Sequence, residues 1–90
     1  MKRFNWNQDK NRQLKEERDI SFEEVVFAIE NDHLLDDVQH HSRKNQRLFV
    51  VFINNYTYLV PYVEETEESV FLKTIIPSRK AYKKYLGKEK

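Results

Sequence analysis

Ninety residues with 39% hydrophobic side chains, six Phe, five Tyr and one Trp among them, supply one core and leave no length for a second, so a single domain over residues 1–90 is expected. Cysteine is absent and Gly87 is the sole glycine, which excludes disulfides, thiolate metal ligands, thiol nucleophiles, glycine-rich phosphate loops and the nucleophile elbow. The net charge of +1 hides an asymmetry: residues 73–90 hold seven Lys and Arg against Glu89 alone, a surplus of six, whereas residues 1–72 hold nine cations and fourteen acids, a deficit of five.

Taken in chain order, Phe4-Asn5-Trp6 reads as a short opening strand, and Asn7 as the N-cap of a polar helix running to about Arg18. Ser21-Phe22-Glu23-Glu24 is a capping box that opens a second helix, with Phe22, Val25, Val26 and Ile29 forming its apolar stripe. Leu34 to Val38 is expected as a strand, and His40 to Gln46 as a polar connection. The unbroken run Leu48-Phe49-Val50-Val51-Phe52-Ile53 predicts a central strand covered on both faces. Asn54-Asn55 supplies a tight turn into a return strand, Tyr56 to Val63. An acidic turn at Glu64 to Glu68 leads to a further strand from Val70 to Ile76, which Pro77 ends. Ser78 caps a final helix that Gly87 stops. The expected class is α+β: an antiparallel sheet of three to five strands with helices packed on one face, in the order β-α-α-β-β-β-(β)-α.

The chain has no run of about 20 apolar residues and no apolar segment after Met1-Lys2-Arg3, so a cytoplasmic protein without membrane contact is expected.

The final helix breaks a local rule. Arg79 and Lys80 follow the cap Ser78 in a first turn where the helix dipole disfavours each cation by roughly 0.3–1 kcal/mol. A bound phosphate removes that conflict, which marks Ser78, Arg79 and Lys80 as phosphate contacts. On a helical wheel Arg79, Lys80, Lys83 and Lys84 gather opposite Ala81, Tyr82, Tyr85 and Leu86. The plainer reading is a solvated charged face over a packed apolar one. Strand alternation adds Lys73 on the side of Phe71 and Ile75, a demanding place for a lysine. Tyr82 and Tyr85 suit base stacking and also suit core packing. His40 and His41 have the intrinsic pKa for proton transfer, against the plain alternative of exposed loop histidines. The spacing of His33, Asp36, Asp37, His40 and His41 matches no metal motif, so no metal and no cofactor are expected.

These segments resemble the BrnT-type toxins of type II toxin-antitoxin systems, a RelE-like ribonuclease branch. Phe4-Asn5-Trp6-Asn7-Gln8-Asp9-Lys10-Asn11 is similar to the family's opening F-x-W-D-x-x-K-N, and Ile20-Ser21-Phe22-Glu23-Glu24 to its I-S-F-E-E. Lys73-Thr74-Ile75-Ile76-Pro77-Ser78-Arg79-Lys80-Ala81 is similar to its closing R-x-I-S-x-R-x-A. The resemblance implies metal-independent RNA cleavage, in which the ribose 2′-OH attacks the adjacent phosphate. Arg79 would hold the pentacovalent dianion, assisted by Lys73 and Lys84, with Arg47 in a family arginine position. Ser78, Lys80, Lys83, Tyr82 and Tyr85 would bind RNA, and His40 or His41 would transfer protons. The implied partners are mRNA, on or off the ribosome, and a cognate antitoxin with a ribbon-helix-helix DNA-binding part, joined in a hetero-oligomer.

The pattern also has departures. Glu17-Arg18-Asp19 stands where the family has Lys-His-Gly, Val63-Glu64-Glu65-Thr66 where it has Thr-Glu-Arg-Gly, and Tyr85 where a glutamate is expected. They support an alternative: a non-catalytic basic module that binds RNA or protein and retains the toxin fold.

Overall fold

The computed structural model describes residues 2–87. Lys88, Glu89 and Lys90, part of the basic C-terminal segment, lie outside the described residues. In chain order the elements are β1 (Arg3–Asn5), α1 (Gln8–Arg18), α2 (Phe22–Glu30), β2 (Leu34–Gln39), β3 (Arg47–Ile53), β4 (Tyr56–Thr66), β5 (Ser69–Leu72), β6 (Ile76–Pro77) and α3 (Arg79–Tyr85). The fold is α+β.

Local chemistry sets most of these boundaries. Asn7 Oδ1 accepts the Lys10 N–H at 2.9 Å and starts α1. At its other end Asp19 turns left-handed, φ 56°, and its backbone N–H reaches Leu14 O. The capping box forms in full: Ser21 Oγ accepts from Glu24 N at 3.3 Å, and Glu24 Oε1 accepts from Ser21 N at 2.9 Å. Asn54 and Asn55, φ 51° and 65°, close the β3–β4 hairpin with the two positive dihedrals that a two-residue turn of this hand requires.

The sheet has six strands in the order β1-β5-β4-β3-β2, with β6 on β4. Strands β2 to β5 form the expected antiparallel meander, but β1 runs parallel to β5, so the sheet is mixed. The segment expected as one strand over Val70–Ile76 is two, and the order carries five strands between α2 and α3. Lys73 N still donates to Pro61 O at 2.8 Å in the register of the β4–β5 ladder, and the break comes just after it, where Arg18 Nη1, from the end of α1, donates to Ile75 O at 2.8 Å. The chain kinks there, Ile75 sinks fully into the core, and β6 resumes pairing at Tyr58 and Leu59. Expected alternation therefore stops at Leu72, so Ile75 does not share a strand face with Lys73.

Leu14, Ile20, Phe22, Val25 and Ala28 pack on Phe49, Val51, Ile53, Val60, Tyr62, Val70 and Leu72 to make the main core. Phe22 alone contributes roughly 1.5–3 kcal/mol by burial. The opening motif lies here: Phe4 meets Phe49 edge-on at 6.3 Å, and Trp6 stacks on Phe22 at 5.6 Å. Asn11, 2% exposed, joins the two helices, its Oδ1 accepting from Phe22 N and its Nδ2 donating to Glu23 Oε1, each at 2.8 Å. That amide is the main reason the Glu23 carboxyl sits below its ordinary range. These motif residues are accounted for by packing and hydrogen bonding.

The third helix departs from the one-face expectation. Neighbours Asp36 and Asp37 on β2 point to opposite sides of the sheet. Asp37 accepts from Tyr62 Oη at 2.7 Å on the core side. Asp36, opposite Val50, accepts from Tyr85 Oη at 2.6 Å. So α3 crosses the reverse face, where Val50, Thr57 and Ala81 are buried outside the main core. Strand β3 is thereby covered on both sides, as its apolar run predicts. No helix among the described residues is long and apolar enough to cross a membrane.

Candidate functional site

Two hydrogen bonds launch α3 from the sheet. Ser78 N donates to Thr57 O at 3.0 Å, and Ser78 Oγ accepts from Ala81 N at 3.1 Å. The Ser78 oxygen expected at a phosphate is thus engaged as a cap. Ala81 is the buried anchor, and turning the helix about it sorts the cations into two pairs four residues apart. Arg79 and Lys83 flank Tyr82; Lys80 and Lys84 take the other flank. Tyr82 is half-buried, like Tyr85 and Leu86 with which the wheel groups it, and it also lines a groove of about 600 Å³ with Arg79, Lys83, Asn55, Tyr56 and Gly87. The Tyr56 and Tyr82 rings stack within it, 5.2 Å apart and 22° from parallel. Tyr58 presses its edge on Tyr56 at 5.8 Å and 81°, holding that ring from another side. Arg79, Lys80, Lys83 and Lys84 are exposed, and none forms an ion pair among the described residues.

On the second flank, the Lys84 ammonium lies 5.3 Å over the Tyr85 ring. The Tyr85 hydroxyl, donated to Asp36, holds that carboxyl below its ordinary range, with help from the Asp37 N–H and the Lys84 charge. In return Asp36 pushes the Tyr85 phenol up. The Tyr85 hydroxyl is a structural donor here, away from the groove. Lys73 is exposed on the same side of the sheet as α3, its ammonium 5.6 Å over Phe71.

Three sequence candidates lie elsewhere. Arg47 sits on the core side, its Nε 3.1 Å from Asp37 Oδ1 and its Nη2 2.9 Å from Asp37 O. That ion pair and the Tyr62 hydroxyl hold the guanidinium in its charged form, while burial and Asp37 push the Tyr62 phenol up. The sheet therefore separates Arg47 from Arg79. His40 and His41 stack on each other at 5.3 Å in the loop before β3, and His40 N donates to Gln46 O. The Nδ1 of His40 accepts from Ser42 N and Arg43 N, each at 3.2 Å, which ties the ring to its own loop. This loop lies at the opposite end of β3 from the Asn54-Asn55 turn, roughly 20 Å away at about 3.3 Å per residue. Neither histidine reaches the groove. Asp36 and Asp37 diverge across the sheet, and no three His, Asp or Glu side chains converge as metal ligands among the described residues.

Sequence reasoning missed Tyr56 and Asn55. Alternation places Tyr56 and Tyr58 opposite Ile53 and Val51 on the core face, so the meeting of Tyr56 with Tyr82 at the hairpin end has no local signal.

A second groove of about 560 Å³ opens on the core side, lined by Phe4, Ile29, Leu34, Phe49 and Tyr62. Both of its cations are paired, Lys2 with Glu64 at 3.5 Å and Arg47 with Asp37 at 3.1 Å, while Glu30 also lines it. The α3 groove differs in presenting cations that have no ion pair among the described residues. Compared with known protein families, curated proteins and solved structures, the chain matches none.

Proposed function

We propose that this protein is a RelE-like, BrnT-type ribonuclease toxin of a type II toxin-antitoxin pair, acting in the cytoplasm on RNA. One observation carries the reading: Arg79 and Lys83 stand beside a tyrosine stack in an open groove, with no ion pair among the described residues. Cations that stabilise a fold are normally paired or solvated singly; cations grouped beside aromatic faces suit a nucleic-acid strand. The motif resemblance supplies the chemistry. The 2′-OH attacks the neighbouring phosphorus, the P–O5′ bond breaks, and the products are a 2′,3′-cyclic phosphate and a free 5′-OH. Arg79, planar and bidentate, holds the equatorial oxygens as their charge develops. The 2′-OH proton must leave and the departing O5′ must gain one. Solvent water in the open groove takes the 2′-OH proton, and the Lys83 ammonium or a Tyr56 or Tyr82 hydroxyl lining the groove would donate one to the departing O5′. Lys73 and Lys84 add positive potential from the same side of the sheet. The cognate antitoxin, with its ribbon-helix-helix part, would cover this basic face in a hetero-oligomer.

The test is expression without the antitoxin, followed by mapping of RNA ends. Wild type arrests growth and leaves cyclic-phosphate ends, whereas Arg79→Ala relieves arrest while folding normally. A wild type that is harmless and cuts no RNA removes the toxin reading. A specific observation favours the second reading, a non-catalytic binding module: His40 and His41 lie at the far end of β3, and the Tyr85 hydroxyl is held by Asp36. That reading predicts RNA retention by the basic face with no cleavage under any condition.

A further inference from the structure

We infer that the Tyr56–Tyr82 groove is a subsite for one unpaired base of single-stranded RNA, with Arg79 and Lys83 on the flanking phosphates. The inference rests on the RNA reading above and is independent of cleavage. Tyr56 contacts both Tyr58, with the rings at 81°, and the face of Tyr82, so the stack is assembled without any ligand. The 5.2 Å between the Tyr56 and Tyr82 centroids admits no third ring, because two carbon contacts of about 3.5 Å each need more room. A base therefore extends the stack from the groove side of Tyr82.

The charges agree with that placement. Arg79 and Lys83 lie one helical turn apart, about 5–6 Å between Cβ atoms, on the flank that carries Tyr82. They contact the backbone on either side of the stacked base, one with a planar fork and the other as a point charge. Asn55, exposed in the turn at φ 65°, offers an amide donor and acceptor at the groove mouth to the edge of the base. Bases in a duplex already stack on both faces and cannot present one to Tyr82, so the ligand class is single-stranded. Lys80 and Lys84 point to the other flank and contribute only general attraction.

The experiment uses the full chain and a labelled, uniformly 2′-O-methylated RNA of roughly 12 nucleotides, which cannot be cut by 2′-OH attack. Anisotropy is expected to show binding at least about tenfold tighter for the single strand than for a duplex of equal length. Tyr82→Ala should weaken single-strand binding about tenfold or more, Tyr82→Phe should stay near wild type, and Lys80→Ala should lose distinctly less than Tyr82→Ala. Because Tyr82→Ala also removes packing, a 2-aminopurine base stepped along the oligonucleotide reads stacking on the wild type directly. One position should lose its fluorescence on binding. Equal affinity for duplex and single strand, an unchanged Tyr82→Ala, or no quenched position overturns the subsite. Tight binding with quenching, but no cleavage of unmodified RNA, overturns the ribonuclease reading and leaves the subsite standing.

Discussion

On the side covered by α1 and α2, the two cations that line the groove are each paired with an acid, Lys2 with Glu64 and Arg47 with Asp37. On the reverse side, four cations of the seven-residue α3 stand around tyrosines with no ion pair among the described residues. Both arrangements are cheap in free energy, the first through pairing and the second through solvation, but only the second leaves charge available to a ligand. Where a charge has no internal role, its location becomes informative about function.

Point substitutions on each face test that contrast. Phe22→Ala, at a fully buried ring under Trp6, should cost about 3–5 kcal/mol in urea unfolding. Asn11→Ala leaves the buried Phe22 N–H without an acceptor and should cost about 1–3 kcal/mol. A cost within surface values would mean that the α1–α2 link is not this amide. On the reverse face the sign inverts for Thr57→Val: the Thr57 hydroxyl is buried without a partner, so its removal should stabilise the protein by about 1 kcal/mol.

The smallest effect is one of pH. The Asp36 carboxyl is depressed in the folded state, so its contribution is complete above its ordinary value of 3.8 and fades as pH falls through the lower folded value. Tyr85→Phe removes the main cause. The stability gap between wild type and Tyr85→Phe should therefore stay constant from pH 6 down to the ordinary carboxylate value of 3.8 and narrow below it, as read by urea midpoints; a gap that stays constant below 3.8 as well would assign Tyr85 to packing alone.

Features written in neighbouring residues were legible before any coordinates. Asn7, Ser21 and Ser78 cap as expected, Asn54-Asn55 turns the chain, and the 48–53 run buries Phe49, Val51 and Ile53 in the core and Val50 on the reverse face, with Leu48 and Phe52 half-buried, because each depends on contacts within a few residues or on simple periodicity. What escaped depends on distant partners. The split at residues 73–75 needs Arg18, 57 positions from Ile75; β1 joins β5 in parallel across 66 positions; and α3 crosses the reverse face to meet Asp36, 49 positions from Tyr85. The site divides the same way. The basic α3 was visible, while the separation of Arg47, His40 and His41 from Arg79 follows from which face and which end of β3 each occupies.

The account turns on a phosphate held at Arg79, and the salt dependence of RNA binding measures that contact directly. Removing one phosphate contact on a single strand lowers the slope of log affinity against log salt by about 0.7. Arg79→Ala should show that decrease while its thermal unfolding stays within about 0.5 kcal/mol of wild type. An Arg79→Ala protein with the wild-type slope would contradict it.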